Sequence, residues 1–250
     1  MRVRWLAGIL ALVASSYVSA QEPPRDFDDA KDTAVDLWWQ IGPLSFYCHC
    51  PYRPATEEEK LIRSGNLWVV GSVCGYQGRD LITRKGKPNA RTMRIEWEHI
   101  VPADWIATGF GCQEASRNDC RQIPGYEEAE GDLFNLVPAI GELNGDRSAR
   151  PFGIIPDEPR EYGACDFEVV TDGVGPAQRR GMAEPMESIR DDVARVWFYM
   201  RDRYGVVVPA DMTTMLEGWS AADPVDDAEK NRHAVISQEM GWSNPHVADD

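Results

Sequence analysis

The sequence predicts an α+β fold in which a small β-element with long loops precedes a set of packed helices. Three observations predict it. Short runs at residues 66–74, 92–98 and 133–137 have strand character. A stripe of apolar residues at helical spacing covers residues 184–204. Between the second and third strand runs lies a polar, glycine-bearing stretch, 102–131, that holds two cysteines. With 250 residues, 43% hydrophobic and 27% charged, the chain is sized for one globular domain.

In chain order, residues 1–20 read as a secretory signal. Arg2 and Arg4 precede the apolar run from Trp5 to Ala14, and Val18-Ser19-Ala20 offers small residues before a cut at Gln21. The apolar run is about half the ~20 residues of a membrane span, so cleavage rather than anchoring is expected. The mature chain, 21–250, is then a single domain with no membrane attachment. Residues 30–41 have helical spacing, with Ala34, Leu37 and Trp38 on one stripe and Trp39 turned outward. The strand run at 66–74 is bounded by Gly65 and Gly75, and the run at 133–137 leads into a helix starting near Ile140. In the 184–204 helix Ile189, Val193, Val196, Trp197, Met200 and Tyr204 share a face, and Gly205 ends it. Two further helices follow, one through Met212, Met215, Leu216 and Trp219 and one over 225–240.

Export decides how the cysteines read. Cys48, Cys50, Cys74, Cys112, Cys120 and Cys165 are six in an oxidising compartment, which points to three disulfides. Cys48-His49-Cys50 is too tight for a zinc knuckle. Cys112 and Cys120 form the natural local pair, and the other four cysteines allow three connectivities.

Signal removal leaves 24 basic against 41 acidic groups, a charge of −17. That excludes a chain coating nucleic acid or anionic membrane with its whole surface. It does not exclude a local basic site. Residues 79–94 carry Arg79, Arg84, Lys85, Lys87, Arg91 and Arg94 against Asp80 alone, whereas 211–250 is net −7.

The segment Arg94-Ile95-Glu96-Trp97-Glu98-His99 sets a hard carboxylate ligand beside an imidazole that titrates near neutrality. On an ideal strand Glu98 and His99 face opposite ways, so one site needs the strand to end there, as Pro102 suggests. Downstream, residues 132–148 crowd polar groups around a strand-to-helix junction. Together with Phe46-Tyr47-Cys48-His49-Cys50, Cys74-Gly75-Tyr76, residues 94–103, Asn135-Leu136, residues 138–148, Tyr162-Gly163-Ala164-Cys165, Ala194-Arg195, residues 198–204 and Asn244-Pro245-His246-Val247, this chain resembles the bacterial endonuclease I family of periplasmic and secreted nucleases.

The resemblance implies a ββα-metal (His-Me finger) core, two strands joined by a long loop and then a helix. It implies that Glu98 and Asn144 hold one Mg²⁺, or another divalent cation in its place. It also implies that His99 is the general base and that Arg117, in Ser116-Arg117-Asn118, contacts phosphate. The resemblance implies endonucleolytic hydrolysis of DNA, and often of RNA as well, with little sequence preference and 5′-phosphate products, by a monomer in the periplasm or outside the cell. Arg79, Arg84, Lys85, Lys87, Arg91 and Arg94 are expected to track the phosphate backbone.

Two departures stand out. Phe134 occupies a place where many relatives of that family carry His, and Ala228 stands where one of a final cysteine pair is common. Two other functions were weighed. Glu96 and Glu98, two apart on a strand, could serve a glycoside hydrolase, but that leaves Asn144, Arg117 and the basic run unexplained. A nucleic-acid-binding module of the same fold that has lost catalysis would be consistent with Phe134.

Overall fold

A computed structural model describes residues 22–62, 66–157, 159–170 and 181–247. The leader 1–20 lies outside the described residues. The fold is α+β: the described residues hold three two-stranded antiparallel sheets among short and long helices, and all six cysteines are in disulfides.

Helix α1, Phe27–Ile41, starts because the Asp26 carboxylate accepts from the amides of Asp28 and Asp29. Its inner face is Ala30, Ala34, Leu37 and Trp38, and Trp39 is 37% exposed. Strand β1, Tyr52–Pro54, pairs with β2, Leu67–Val69; helix α2, Glu57–Ile62, lies between them, and one helical turn, α3 (Gly71–Cys74), follows β2. The strand expected over 66–74 is therefore half strand and half helix. The disulfide Cys50–Cys74 ties that turn back to the segment before β1. Cys48–Cys165 joins residues 117 apart in sequence, and Cys112–Cys120 is the expected local pair.

The central pair is β3, Ile95–His99, against β4, Leu136–Ile140, with Glu98 opposite Val137 and His99 opposite Leu136. The sequence placed both strands about three residues early, because turns of 3-10 helix at Ala90–Thr92 and Leu133–Asn135 have strand-like composition. Asn135 closes the open end of the pair. Its buried amide accepts from Val101 N at 2.7 Å and donates to Val101 O at 3.0 Å. Between these strands the expected loop over 102–131 contains three short helices, α4 (Ala103–Gly109), α5 (Arg117–Cys120) and α6 (Tyr126–Glu130). A capping box between Ser116 and Asp119 and the Cys112–Cys120 bridge hold so short a helix as α5 in place.

Helix α7, Gly141–Arg147, leaves β4 directly and packs on β3 and β4. Its glycines permit close approach. A Cβ at Gly141 would lie 2.8 Å from Glu96 Oε1, and one at Gly145 would strike the Arg91 guanidinium. A hairpin that sequence reading missed, β5 (Phe167–Val170) with β6 (Met182–Pro185), comes next. It takes the start of the expected 184–204 helix, so α8 runs Arg190–Tyr204 and Gly205 ends it with φ +70°. Helices α9, Ala210–Ala222, and α10, Asp227–Met240, complete the layer. One core connects all of these, from Ala30 and Leu37 through Val137 and Leu143 to Trp197, Leu216 and Ile236. No helix of the described residues is long and apolar enough to cross a membrane.

Candidate active site

Strand β3 runs through His99, which pairs with Leu136, so Glu98 and His99 keep opposite faces of the strand rather than turning to one side. Glu98 points toward α7 and His99 toward α6, and both side chains are buried. Glu98 Oε1 accepts from the Tyr47 hydroxyl at 3.0 Å and from Arg147 Nη1 at 3.1 Å; Oε2 takes neither bond. Arg147 is itself fully buried. It also donates to the carbonyls of His99, at 2.8 Å, and Ile100, and its guanidinium lies over the Phe152 ring. One side chain thus pins three successive residues at the end of the strand. Burial pushes the Glu98 carboxyl up to about 7, against the pull of Arg147 and Tyr47.

His99 is held on its other side. Nε2 lies 2.7 Å from the carbonyl oxygen of Glu130 in α6. A carbonyl only accepts, so Nε2 carries the proton, and in the neutral ring the lone pair is on Nδ1. Burial pushes the His99 pKa down to about 4, helped by the Arg117 and Arg147 charges and opposed by the Glu130 carbonyl. At neutral pH the imidazole is an uncharged base. The Phe27 ring lies over it, 4.6 Å between centroids.

Arg117 comes to the same place by a different route. Its guanidinium pairs with the buried Glu130 carboxylate, which Arg121 also holds at 2.8 Å, and it lies 5.1 Å from the Phe27 ring centre. Glu130 therefore orients the imidazole with its backbone and the arginine with its side chain. Sequence reading passed over Glu130 because it sits in a stretch read as loop. Tyr47, Arg147 and Phe27 were also missed as site residues, although Tyr47 and Arg147 lie within the family-like blocks.

Asn144 and Arg147, three apart on α7, face β3 together. Asn144 Nδ2 donates to Glu96 Oε2 at 3.2 Å, which leaves its amide oxygen, the harder donor, outside that bond. Asn144 is thus one strand-face step along from Glu98, beside Glu96. Glu96 is otherwise engaged by Arg91, at 3.0 and 2.6 Å, and by Arg94. Hence Arg91 and Arg94, expected on phosphate, are tied to a carboxylate, and so is Arg79, which pairs with Asp80, Asp146 and Glu161. Arg84, Lys85 and Lys87 are exposed, with no ion pair to a described residue.

Comparison with known proteins decides the family. The endonuclease I family matches residues 32–250. The chain belongs to the endonuclease I family. It is 32% identical, over 95% of its length and 91% of the relative's, to a periplasmic deoxyribonuclease of Aeromonas hydrophila. It is 30% identical to an extracellular deoxyribonuclease of the same organism, with 96% of each chain covered. Endonuclease-1 of Buchnera aphidicola subsp. Acyrthosiphon pisum shares 34% identity over 89% of this chain and 80% of that one. As a member of the endonuclease I family the protein is an endonuclease.

Phe134, at the departure from the family pattern, is buried edge-on against Tyr199 and lies 5.5 Å from the His233 ring. Elsewhere, Asp191, Asp192 and Glu229 bring carboxylate oxygens within 4.8 Å of one another. That cluster already contains the buried Arg195, which holds Glu229 at 2.6 and 2.8 Å and also pairs with Asp191, while Arg232 pairs with Asp192.

Proposed function

We propose that this endonuclease is an exported, Mg²⁺-dependent enzyme that hydrolyses DNA phosphodiesters with little sequence preference and leaves 5′-phosphate ends. The observation that carries the reading is His99, a neutral imidazole with its proton held on Nε2 and its basic lone pair on Nδ1, one residue from a buried carboxylate. The β3–β4–α7 unit has the order of elements of a ββα-metal core.

The donor set fits a hard cation. Glu98 has an oxygen outside its Tyr47 and Arg147 bonds, and Asn144 has an amide oxygen outside its bond to Glu96. These two residues would hold Mg²⁺, which when bound supplies positive charge for the scissile phosphate and the departing oxygen. His99 Nδ1 takes a proton from the attacking water, a role worth roughly 10²–10⁴ in rate. Glu130 keeps the imidazole turned for that task. Arg117 presents a planar guanidinium to phosphate oxygens from the same wall. Tyr47 and Arg147 hold Glu98 in place. Arg84, Lys85 and Lys87 supply the backbone attraction that a chain of −17 otherwise lacks.

The names of the Aeromonas relatives support DNA as substrate and export as destination. Purified oxidised protein is expected to nick plasmid DNA with Mg²⁺, not with EDTA, and His99→Ala is expected to slow cutting roughly 10²–10⁴-fold. The products should be ligatable, as 5′-phosphate ends are, and RNA is tested as a second substrate in the same assay. Cutting by His99→Ala at the wild-type rate would remove the mechanism.

A further inference from the structure

Residues 80–89 form a small hairpin that the catalytic roles above only half explain. Thr83 N donates to Lys87 O and Gly86 N to Thr83 O, each at 2.8 Å, and Asn89 N donates to Leu81 O at 2.9 Å. Gly86 takes the left-handed φ of +71° that this turn requires. Every residue from Leu81 to Pro88 is exposed. Leu81 and Ile82 are 61% and 60% exposed, two large apolar side chains on successive residues of an extended arm, one to each face. Beyond them come Arg84, Lys85 and Lys87, with no acidic residue between 81 and 88.

The hairpin is fastened to the site. Glu142, on α7 two residues before Asn144, is buried and accepts from Arg79 N at 3.0 Å, Asp80 N at 2.8 Å and the Tyr76 hydroxyl at 2.9 Å. Asn89 Nδ2 closes the base on Asp80 O at 2.8 Å. An arm of three residues reaches roughly 10 Å, or about three base pairs along a duplex. The cations suit phosphates. Two exposed aliphatic side chains beside them suit the apolar sugar faces and base edges that wall a groove.

Building on the nuclease reading, we propose that the 81–88 hairpin is a second DNA-docking element, in which Leu81 and Ile82 pack into the groove of a duplex while Arg84, Lys85 and Lys87 hold its phosphates. Such contacts carry no base code, in keeping with low sequence preference.

The two halves of the hairpin separate in a salt titration. Binding of a short labelled DNA duplex to the full oxidised chain in EDTA is measured across a NaCl series. Leu81→Ser with Ile82→Ser is expected to weaken binding about tenfold at every salt concentration, leaving the slope of log K against log salt unchanged. Arg84→Gln, Lys85→Gln and Lys87→Gln together are expected to flatten that slope by about 2–3. Leu81→Val with Ile82→Val, which keeps the apolar surface, is expected to restore most of the affinity. Wild-type affinity in the serine pair overturns the proposal. So does a loss shared equally by the valine pair, or an effect of the serine pair on anionic phospholipid vesicles with duplex binding untouched. Wild-type protein that neither binds duplex nor cuts it with Mg²⁺ overturns the nuclease reading and this inference with it.

Discussion

Two clusters of carboxylates and guanidinium groups among the described residues, one between helices and one on the central strand, end differently. Between α8 and α10, Asp191, Asp192 and Glu229 converge, and Arg195 and Arg232 lie among them, so the cation is already a side chain. At β3, Glu96 collects Arg91, Arg94 and the Asn144 amide N–H, while Glu98 takes Tyr47 and Arg147 on one oxygen. What differs is the charge around the remainder. The first place leaves Asp191 Oδ1 without a hydrogen-bond partner, but in a cluster that already holds two guanidinium charges. The second leaves a Glu98 carboxylate oxygen outside its Tyr47 and Arg147 bonds and an Asn144 amide oxygen outside its bond to Glu96, on a strand and a helix. We propose the metal at the second place for that reason, although a count of nearby acids would favour the first.

The largest expected effect separates the two places by function. His99→Ala should slow plasmid nicking roughly 10²–10⁴-fold, whereas Arg195→Met should leave nicking per folded molecule near wild type. Equal losses in both would erase the distinction. Arg195→Met should instead show in urea unfolding, at roughly 3–5 kcal/mol, because it strands the buried Asp191 and Glu229 carboxylates.

The next effect sharpens the site's electrostatics. His99 has a folded pKa of about 4 against an ordinary 6.5. From pH 6.5 down to 4 the unfolded imidazole binds a proton that the folded one refuses, so stability falls across that window and levels off below it. Glu98, raised to about 7, acts in the opposite sense between 4.5 and 7. Hence the informative quantity is wild type minus His99→Gln. The wild-type excess should shrink on acidification by an amount on the order of 3 kcal/mol, measured by urea titration at several pH values. A pH-independent difference would mean the imidazole is not buried neutral.

The smallest effect concerns the cation. A proton on Glu98 excludes a metal, so the Mg²⁺ concentration for half-maximal nicking should rise about tenfold per pH unit below 7. Burial also raises Asp191 to about 6 and Glu229 to about 7 in the helical cluster, but there the guanidinium groups of Arg195 and Arg232 occupy the place of a cation, so nicking should not depend on their titration.

Much of this was legible in the chain. Residues 94–103 and 135–148 carry the strand–helix unit on which Glu98, His99 and Asn144 sit. The 102–131 stretch was harder, since helices of four to seven residues have too little periodicity to register, and their stability comes from caps and a disulfide. The β5–β6 hairpin went unseen for a related reason. Four-residue strands ending in Glu184-Pro185 do not alternate clearly enough to stand apart from the helix that follows.

Composition and motif by themselves determined the family, the α+β class and the Cys112–Cys120 pair, because those are properties of local spacing. The fold alone decided which charges remain free. Arg79, Arg91 and Arg94 look the same in sequence as Arg84, Lys85 and Lys87, yet the first three meet carboxylates from other elements and the last three meet none among the described residues. Which nitrogen of His99 holds its proton was likewise a tertiary matter, set by a carbonyl 31 residues away. Partners like these are chosen by packing across the chain, and no local pattern encodes them.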